Sequence, residues 1–234
     1  MMDRMCAPFT IGLVLGIIGL IHGCTSAPPP RLVYQDPITL VKLQFDRHAN
    51  GGHTHPVKIS HEQMTRVLSG IRVKAREGMI PSVIMGRGDW NPAFSAIEIQ
   101  TLTPQLTQAL ELAKPEELAT FYRRISDASV GLAVTSGGLF VEGNQLFFIL
   151  ANNRTLPSEA LNQNMIYEID PIDSPLLPIN RARTGFKVSF SPSAAIVPPD
   201  AHPRWQYIDE GRIVVIDLGG LAREATPPAS AAQP

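Results

Sequence analysis

The chain has very little cysteine: its 234 residues include two, Cys6 and Cys24, and none follows residue 24. Disulfide bonds and cysteine nucleophiles are therefore excluded from everything beyond that point. The chain also lacks an excess of either charge, because 20 Lys and Arg face 21 Asp and Glu, for a net charge of −1. A domain that binds nucleic acid is normally basic, so this balance predicts that nucleic acid is not a partner.

Long apolar runs are absent as well. The main run, from Phe9 to Ile21, has 13 residues, whereas a helix needs about 20 to cross a bilayer. Arg4 precedes this run and the small residue Gly23 follows it. That layout is typical of a cleavable secretory signal rather than of a stable membrane anchor.

The end of the run, Ile21 to Cys24, resembles the signal of bacterial lipoproteins, in which an aliphatic residue and a small residue precede the Cys that receives lipid. The resemblance covers about residues 1–25 and implies that residues 1–23 are a signal peptide and that Cys24 is acylated. Because Thr25 follows where Asp would mark inner-membrane retention, it further implies a bacterial envelope protein on the outer membrane, facing the periplasm. An ordinary signal peptide with an unrelated Cys is the alternative.

Proline and glycine mark the limits of the folded part. Residues 24–36 include Ala27-Pro28-Pro29-Pro30, which predicts an extended, Pro-rich tether. Residues 222–234 are rich in Ala and Pro, with little to bury, and predict a disordered tail. Residues 37–221 between them have the length of a single globular domain.

Two segments of the first half have helix signals. Ser60 with Gln63, and Ser95 with Glu98, have the spacing of a capping box, and each pair precedes an apolar stripe. The second helix contains Pro104, which lacks a backbone N–H, so we expect that helix to kink or restart there.

Short β-prone segments dominate the rest of the chain. Residues 38–45 alternate, and several later segments are short and apolar, with Glu142-Gly143-Asn144-Gln145 as a predicted hairpin turn. The predicted fold is α+β, with a mostly antiparallel β-sheet and two or three helices packed on one face. The β-prone segments are 71–77, 119–125, 131–141, 145–150, 186–190 and 213–216.

Four histidines, His48, His53, His55 and His61, form the densest group of metal-ligating residues. Imidazole nitrogen binds zinc and copper readily, so these residues are a candidate metal site, with Asp46 as a further ligand. The alternative is a solvated loop, which the lack of a standard ligand spacing favours. The sequence from His61 to Thr65 begins like the zinc-protease motif but has Thr65 in place of the second His, which excludes that motif.

A row of cations is the candidate partner surface. Arg72, Lys74 and Arg76 alternate along a predicted strand and so lie on one face. They could meet lipid phosphates or an acidic partner, with Trp90 adding amphipathic surface. The alternative is the solvated face or guarded edge of a sheet.

No catalytic motif is complete. Ser136-Gly137-Gly138 has small neighbours but not the pattern of a nucleophile elbow, and glycine in a strand favours a bulge or a close backbone approach. The leading hypothesis is a non-enzymatic, membrane-tethered periplasmic domain that binds an envelope protein or helps assemble one. It needs no cofactor and contacts the membrane through its acyl chains. The first alternative is a metal-binding protein that uses the histidines, and the second is a cell-wall hydrolase.

Overall fold

The protein is described here by a computed structural model. It describes residues 27–49, 52–75, 89–127, 131–155, 172–179, 185–198 and 210–223. The predicted signal peptide, Cys24, Arg76 and residues 224–234 of the predicted tail lie outside the described residues.

Ten strands and three helices make up the described part. The helices are α1 (His61–Gly70), α2 (Ala96–Leu112) and α3 (Leu218–Arg223). The strands are β1 (Arg31–Gln35), β2 (Thr39–Phe45), β3 (Ile71–Ala75), β4 (Asn91–Pro92), β5 (Glu117–Asp127), β6 (Gly131–Glu142), β7 (Gln145–Thr155), β8 (Phe186–Phe190), β9 (Ile196–Val197) and β10 (Ile213–Asp217). No helix among these residues has the length and apolar character needed to span a membrane.

The strands form two antiparallel sheets. The larger sheet has the order β1-β2-β5-β6-β7-β10-β9, and the smaller has the order β4-β3-β8. The predicted hairpin joins β6 to β7, with Glu142 opposite Gln145 and Gly143 at φ +59°. Glycine adopts this left-handed conformation without a steric penalty. The α+β prediction, with a mostly antiparallel sheet, is confirmed.

Helices α1 and α2 begin where their caps predict. The Ser60 hydroxyl accepts the N–H of Gln63, but the Gln63 side chain donates to Leu218 O instead of closing the box. The box of Ser95 and Glu98 is complete. Helix α2 continues through Pro104, so the expectation of a restart there was wrong. Burial of its Leu102, Leu106 and Leu110 face offsets the lost hydrogen bond.

The larger sheet is covered on both faces. On one face, α1 and α2 pack on the main core, which includes Phe121 and Phe148. On the other, residues 172–179 cover the sheet, where Leu176 packs against the cluster of Phe140 and Phe147. The central strand β7 is therefore buried along nearly its whole length.

The sheet begins earlier in the chain than the sequence predicts. Residues 31–35, assigned above to the tether, form strand β1 and pair with β2 from Arg31 opposite Leu43 to Gln35 opposite Leu40. Only Ala27 to Pro30 of the described residues precede this strand, and all four are exposed. The segment before the fold is thus shorter than the predicted tether of residues 24–36.

The glycines of β6 allow close approach, as predicted. Register shifts on either side of Ser136 mark a bulge. A Cβ on Gly137 would clash with Ile149 O and would lie 3.0 Å from the ring of Phe121. No side chain fits at this position without movement of the neighbouring strand.

We expect Gly137→Ala to lower the free energy of unfolding by about 3 kcal/mol, because the added methyl overpacks the sheet. Gly143→Asn is the matched control, because a Cβ at this position would have no neighbour within 4 Å and Asn tolerates a left-handed backbone. The free energy of unfolding of Gly143→Asn should differ from that of the wild type by less than about 1 kcal/mol. Urea unfolding of both variants measures the difference, and equal stabilities would contradict the close approach.

Candidate functional site

The four predicted ligands do not converge. His53 and His55 are buried and their ring centroids lie 5.4 Å apart. His48 lies half-buried in the turn after β2, and His61 is exposed as the first residue of α1. Among the described residues, no group of three or more His, Cys, Asp or Glu side chains is placed to hold a metal ion. The predicted zinc or copper site at these histidines is therefore not supported by the described part of the chain.

Both ring nitrogens of His55 are bonded to the backbone. The N–H of Val141 lies 3.1 Å from Nε2, and Nδ1 lies 2.9 Å from Glu117 O. A backbone N–H can only donate, so Nε2 must accept and Nδ1 must carry the proton that it donates to the carbonyl. The lone pair that a metal would need is thus already used. Burial lowers the pKa of His55 to about 4, and the neighbouring His53 adds to this effect.

His53 lies between two carboxylates. Its Nε2 is 3.0 Å from Asp46 Oδ2, and its Nδ1 is 3.5 Å from Glu142 Oε1. The ring stacks on Phe140 with centroids 4.2 Å apart. Asp46 also accepts the backbone N–H of His48 at 2.8 Å. The arrangement ties the end of β2 to the end of β6.

Backbone bonds of the same segment complete this clamp. The N–H of His53 donates to Pro115 O at 2.6 Å, and the N–H of Thr54 donates to Val141 O at 2.7 Å. The Thr54 hydroxyl accepts from Gly143 N at 2.7 Å. Residues 53–55 thus connect the approach to β5 with the β6–β7 hairpin, so their polar groups stabilise the fold.

His55 predicts a pH dependence of stability. Its pKa is lowered from an ordinary 6.5 to about 4 in the folded protein, so the unfolded chain binds the additional proton. The stabilisation is complete above pH 6.5 and is lost as the pH falls towards 4, at about 1.4 kcal/mol per pH unit and about 3 kcal/mol in total.

Urea unfolding between pH 7 and pH 4 measures this effect. His55→Gln should be less stable at pH 7, and its deficit relative to the wild type should shrink as the pH falls. His61→Gln, an exposed position on α1, should keep the wild-type pH profile. If the stability deficit of His55→Gln were the same at every pH between 7 and 4, the pH dependence would not come from His55.

Ser136 is held by hydrogen bonds in the covered face of the sheet. Its hydroxyl donates to Pro175 O at 2.7 Å and accepts from Asn152 Nδ2 at 2.8 Å. Asn152 also donates to Leu177 O and accepts the N–H of Ile179. These two side chains hold residues 172–179 on the sheet. The Ser136 hydroxyl thus has a structural role that needs no nucleophilic one.

An ion pair between the buried Glu98 and the partly exposed Arg154, at the start of α2, has no signal in the sequence. Glu98 is 4% exposed and accepts the N–H of Ser95 at 2.7 Å, and Arg154 Nη2 lies 3.6 Å from Glu98 Oε2. Arg154 has φ +48°, a conformation uncommon outside glycine. Its N–H donates to the hydroxyl of Thr135. The bulged end of β7 is thus fixed to the helix, and only the capping spacing of Glu98 was visible in the sequence.

Two of the predicted cations, Arg72 and Lys74, lie on the outer face of the smaller sheet. Arg72 and Lys74 are half-buried on β3, and β8 adds Lys187 directly opposite Lys74 and Ser189 opposite Arg72. Trp90, 46% exposed, immediately precedes β4 at the edge of this sheet. We call Arg72, Lys74 and Lys187 the cationic face. Lys187 was missed because its pairing with Lys74 is long-range and leaves no local pattern.

Comparison with models of protein families, with curated proteins and with solved structures finds no match for this chain.

Proposed function

We propose that this protein is a lipid-anchored protein of the bacterial envelope, whose folded domain acts as a non-enzymatic binding or assembly module next to the membrane. In a bacterium with two membranes, the anchor would lie in the outer membrane and the domain in the periplasm. The proposal joins the lipoprotein-like signal ending at Cys24 to the position at which the fold begins.

The observation that carries the proposal is the short distance in sequence between Cys24 and the sheet. Strand β1 begins at Arg31, seven residues after Cys24. Seven fully extended residues reach about 25 Å. Acyl chains on Cys24 would therefore hold the β1 edge of the larger sheet within that distance of the lipid.

Arg31 joins this segment firmly to the domain. Its guanidinium forms two hydrogen bonds with Glu117, at 2.8 and 2.5 Å, and a third with Leu112 O at 2.8 Å. This guanidinium lowers the pKa of the Glu117 carboxyl below its ordinary value. A bidentate, charge-assisted pair has a defined geometry, so the first residue of the sheet is bound both to β5 and to the end of α2.

The internal bonding of the polar residues supports binding over catalysis. His55, one of the four candidate metal ligands, and Ser136, the candidate nucleophile, use their polar atoms to hold strands and loops together. The outer faces of the fold remain available for contact with other molecules. A tethered domain of this kind acts through whatever lies within reach of its anchor.

Replacing Cys24 tests the anchor. We expect the wild-type protein to carry acyl chains and to pellet with membranes, and Cys24→Ser to lose both properties, because only the sulfur accepts the lipid. Mass spectrometry of the N-terminal peptide and membrane fractionation measure the two effects. Cys6→Ser is the matched control and should behave as the wild type. An unacylated, freely soluble wild-type protein would refute the proposal.

The binding role can be tested by cross-linking in cells. Because no cysteine follows Cys24, one introduced at an exposed position gives the domain a unique free thiol. Gln35→Cys on β1 and Gln108→Cys on α2 are exposed positions for a thiol-linked photo-cross-linker. Capture of one defined protein, lost in Cys24→Ser, would support the proposal. No cross-linked species from a series of such exposed positions would contradict the binding role.

A further inference from the structure

We propose that the cationic face docks on anionic phospholipid headgroups of the membrane that holds the protein. The inference rests on the proposed lipid anchor and adds a second contact, which would set the orientation of the domain. Its ligand is the headgroup phosphate of an anionic lipid.

The smaller sheet has two chemically different faces. Val73 of β3 and Phe186 and Val188 of β8 point into the main core. Residues directly opposite each other in an antiparallel pair share a face, so Lys74 and Lys187 lie side by side on the outer face. Arg72 extends this face towards β4, where it pairs with Pro92.

The charges on this outer face are not balanced from within the sheet. Strands β3, β4 and β8 contain no acidic residue. Like charges directly opposite each other destabilise a sheet, so the juxtaposition of Lys74 and Lys187 costs stability that an external anion would recover. Within the described part of the chain, none of the three cationic side chains has an ion-pair partner, and the adjoining acid is Asp89, next to Trp90.

The chain allows this face to reach its own membrane. From β1 to β10 there are five strand spacings, or about 24 Å, and β8 packs beside β10. The segment from Cys24 to Arg31 extends to about 25 Å. Because β8 adds a further spacing, docking of the cationic face requires the larger sheet to lie inclined to the bilayer, so that Arg31 stays within about 25 Å of the inserted Cys24.

The shape of the surface favours lipid over an acidic protein. A short sheet face with three cations matches a plane of phosphates, and the exposed Trp90 at its edge is the kind of side chain that lies at membrane interfaces. Each cation near an anionic surface changes partitioning about fivefold. That is too weak for attachment alone, but a lipid tether makes such a contact effective by keeping the surface close.

Depth-dependent quenching tests the orientation on the acylated, full-length protein. A fluorophore on Ser189→Cys, between the cations, and one on Gln108→Cys, on α2, are compared in vesicles that carry nitroxide-labelled lipid. With 30% phosphatidylglycerol we expect stronger quenching at position 189 than with phosphatidylcholine alone, reversed by 0.5 M salt. Position 108 should not respond to the lipid composition.

Charge reversal supplies the matched variants. In the Arg72→Glu, Lys74→Glu, Lys187→Glu triple variant, the docking equilibrium constant should fall by at least about 100-fold, which is the loss expected from removing the three cations alone. The corresponding Gln variant relieves the repulsion between Lys74 and Lys187 and serves if the Glu variant misfolds. Arg47→Glu, Lys58→Glu and Lys114→Glu change the same charge at exposed positions elsewhere and should leave quenching at position 189 unchanged.

The outcomes separate this inference from the proposed function. Acylated protein that stays on the vesicles but shows no phosphatidylglycerol dependence at position 189 would overturn the docking and leave the anchor intact. Absence of acylation would overturn the anchor itself. Cross-linking from position 189 to an acidic protein instead of lipid, in cells, would overturn the lipid assignment.

Discussion

The central strands of the larger sheet are buried on both faces, and this constraint governs the rest of the structure. A polar group that enters such a sheet loses its water and must find a partner within the fold, because an unpaired buried donor or acceptor is costly. The N–H of Val141 donates to the ring of His55. The Ser136 hydroxyl donates to Pro175 O and accepts from the Asn152 side chain. His55 and Ser136 look reactive in the sequence. In the fold, His55 accepts a backbone hydrogen bond, and Ser136 holds residues 172–179 on the sheet.

Local signals in the sequence predicted most of the architecture. The cap residues Ser60 and Ser95 and the hairpin at Gly143 are short-range patterns, and each lies where predicted. Strand β1 was missed because it is a bulged, largely exposed edge strand directly after three prolines, so neither alternation nor an apolar run marks it. Of the two outcomes expected at Pro104, a kink or a restart, the restart does not occur, because burial of the surrounding helix face outweighs one lost hydrogen bond.

The site residues were harder to predict, because their roles depend on long-range neighbours. Spacing alone cannot reveal that His55 faces a backbone N–H from β6 and a carbonyl from the start of β5. Nor can it pair Lys74 with Lys187, whose contact exists only once β3 and β8 are aligned. The cations of β3 were visible because alternation within one strand is a local pattern. The structure adds Lys187 of β8 to this group.

The Arg31–Glu117 pair links the proposed anchor to the buried sheet. Glu117 is the first residue of β5, and its backbone carbonyl accepts from His55 while its carboxylate binds Arg31. One residue therefore connects the first residue of the sheet with the clamp at the ends of β2 and β6. Arg31 is thus the point at which the segment after the proposed anchor joins the sheet. In the proposed anchored state, a segment of seven residues would keep the domain beside the bilayer, where weak surface charges would decide which face meets it.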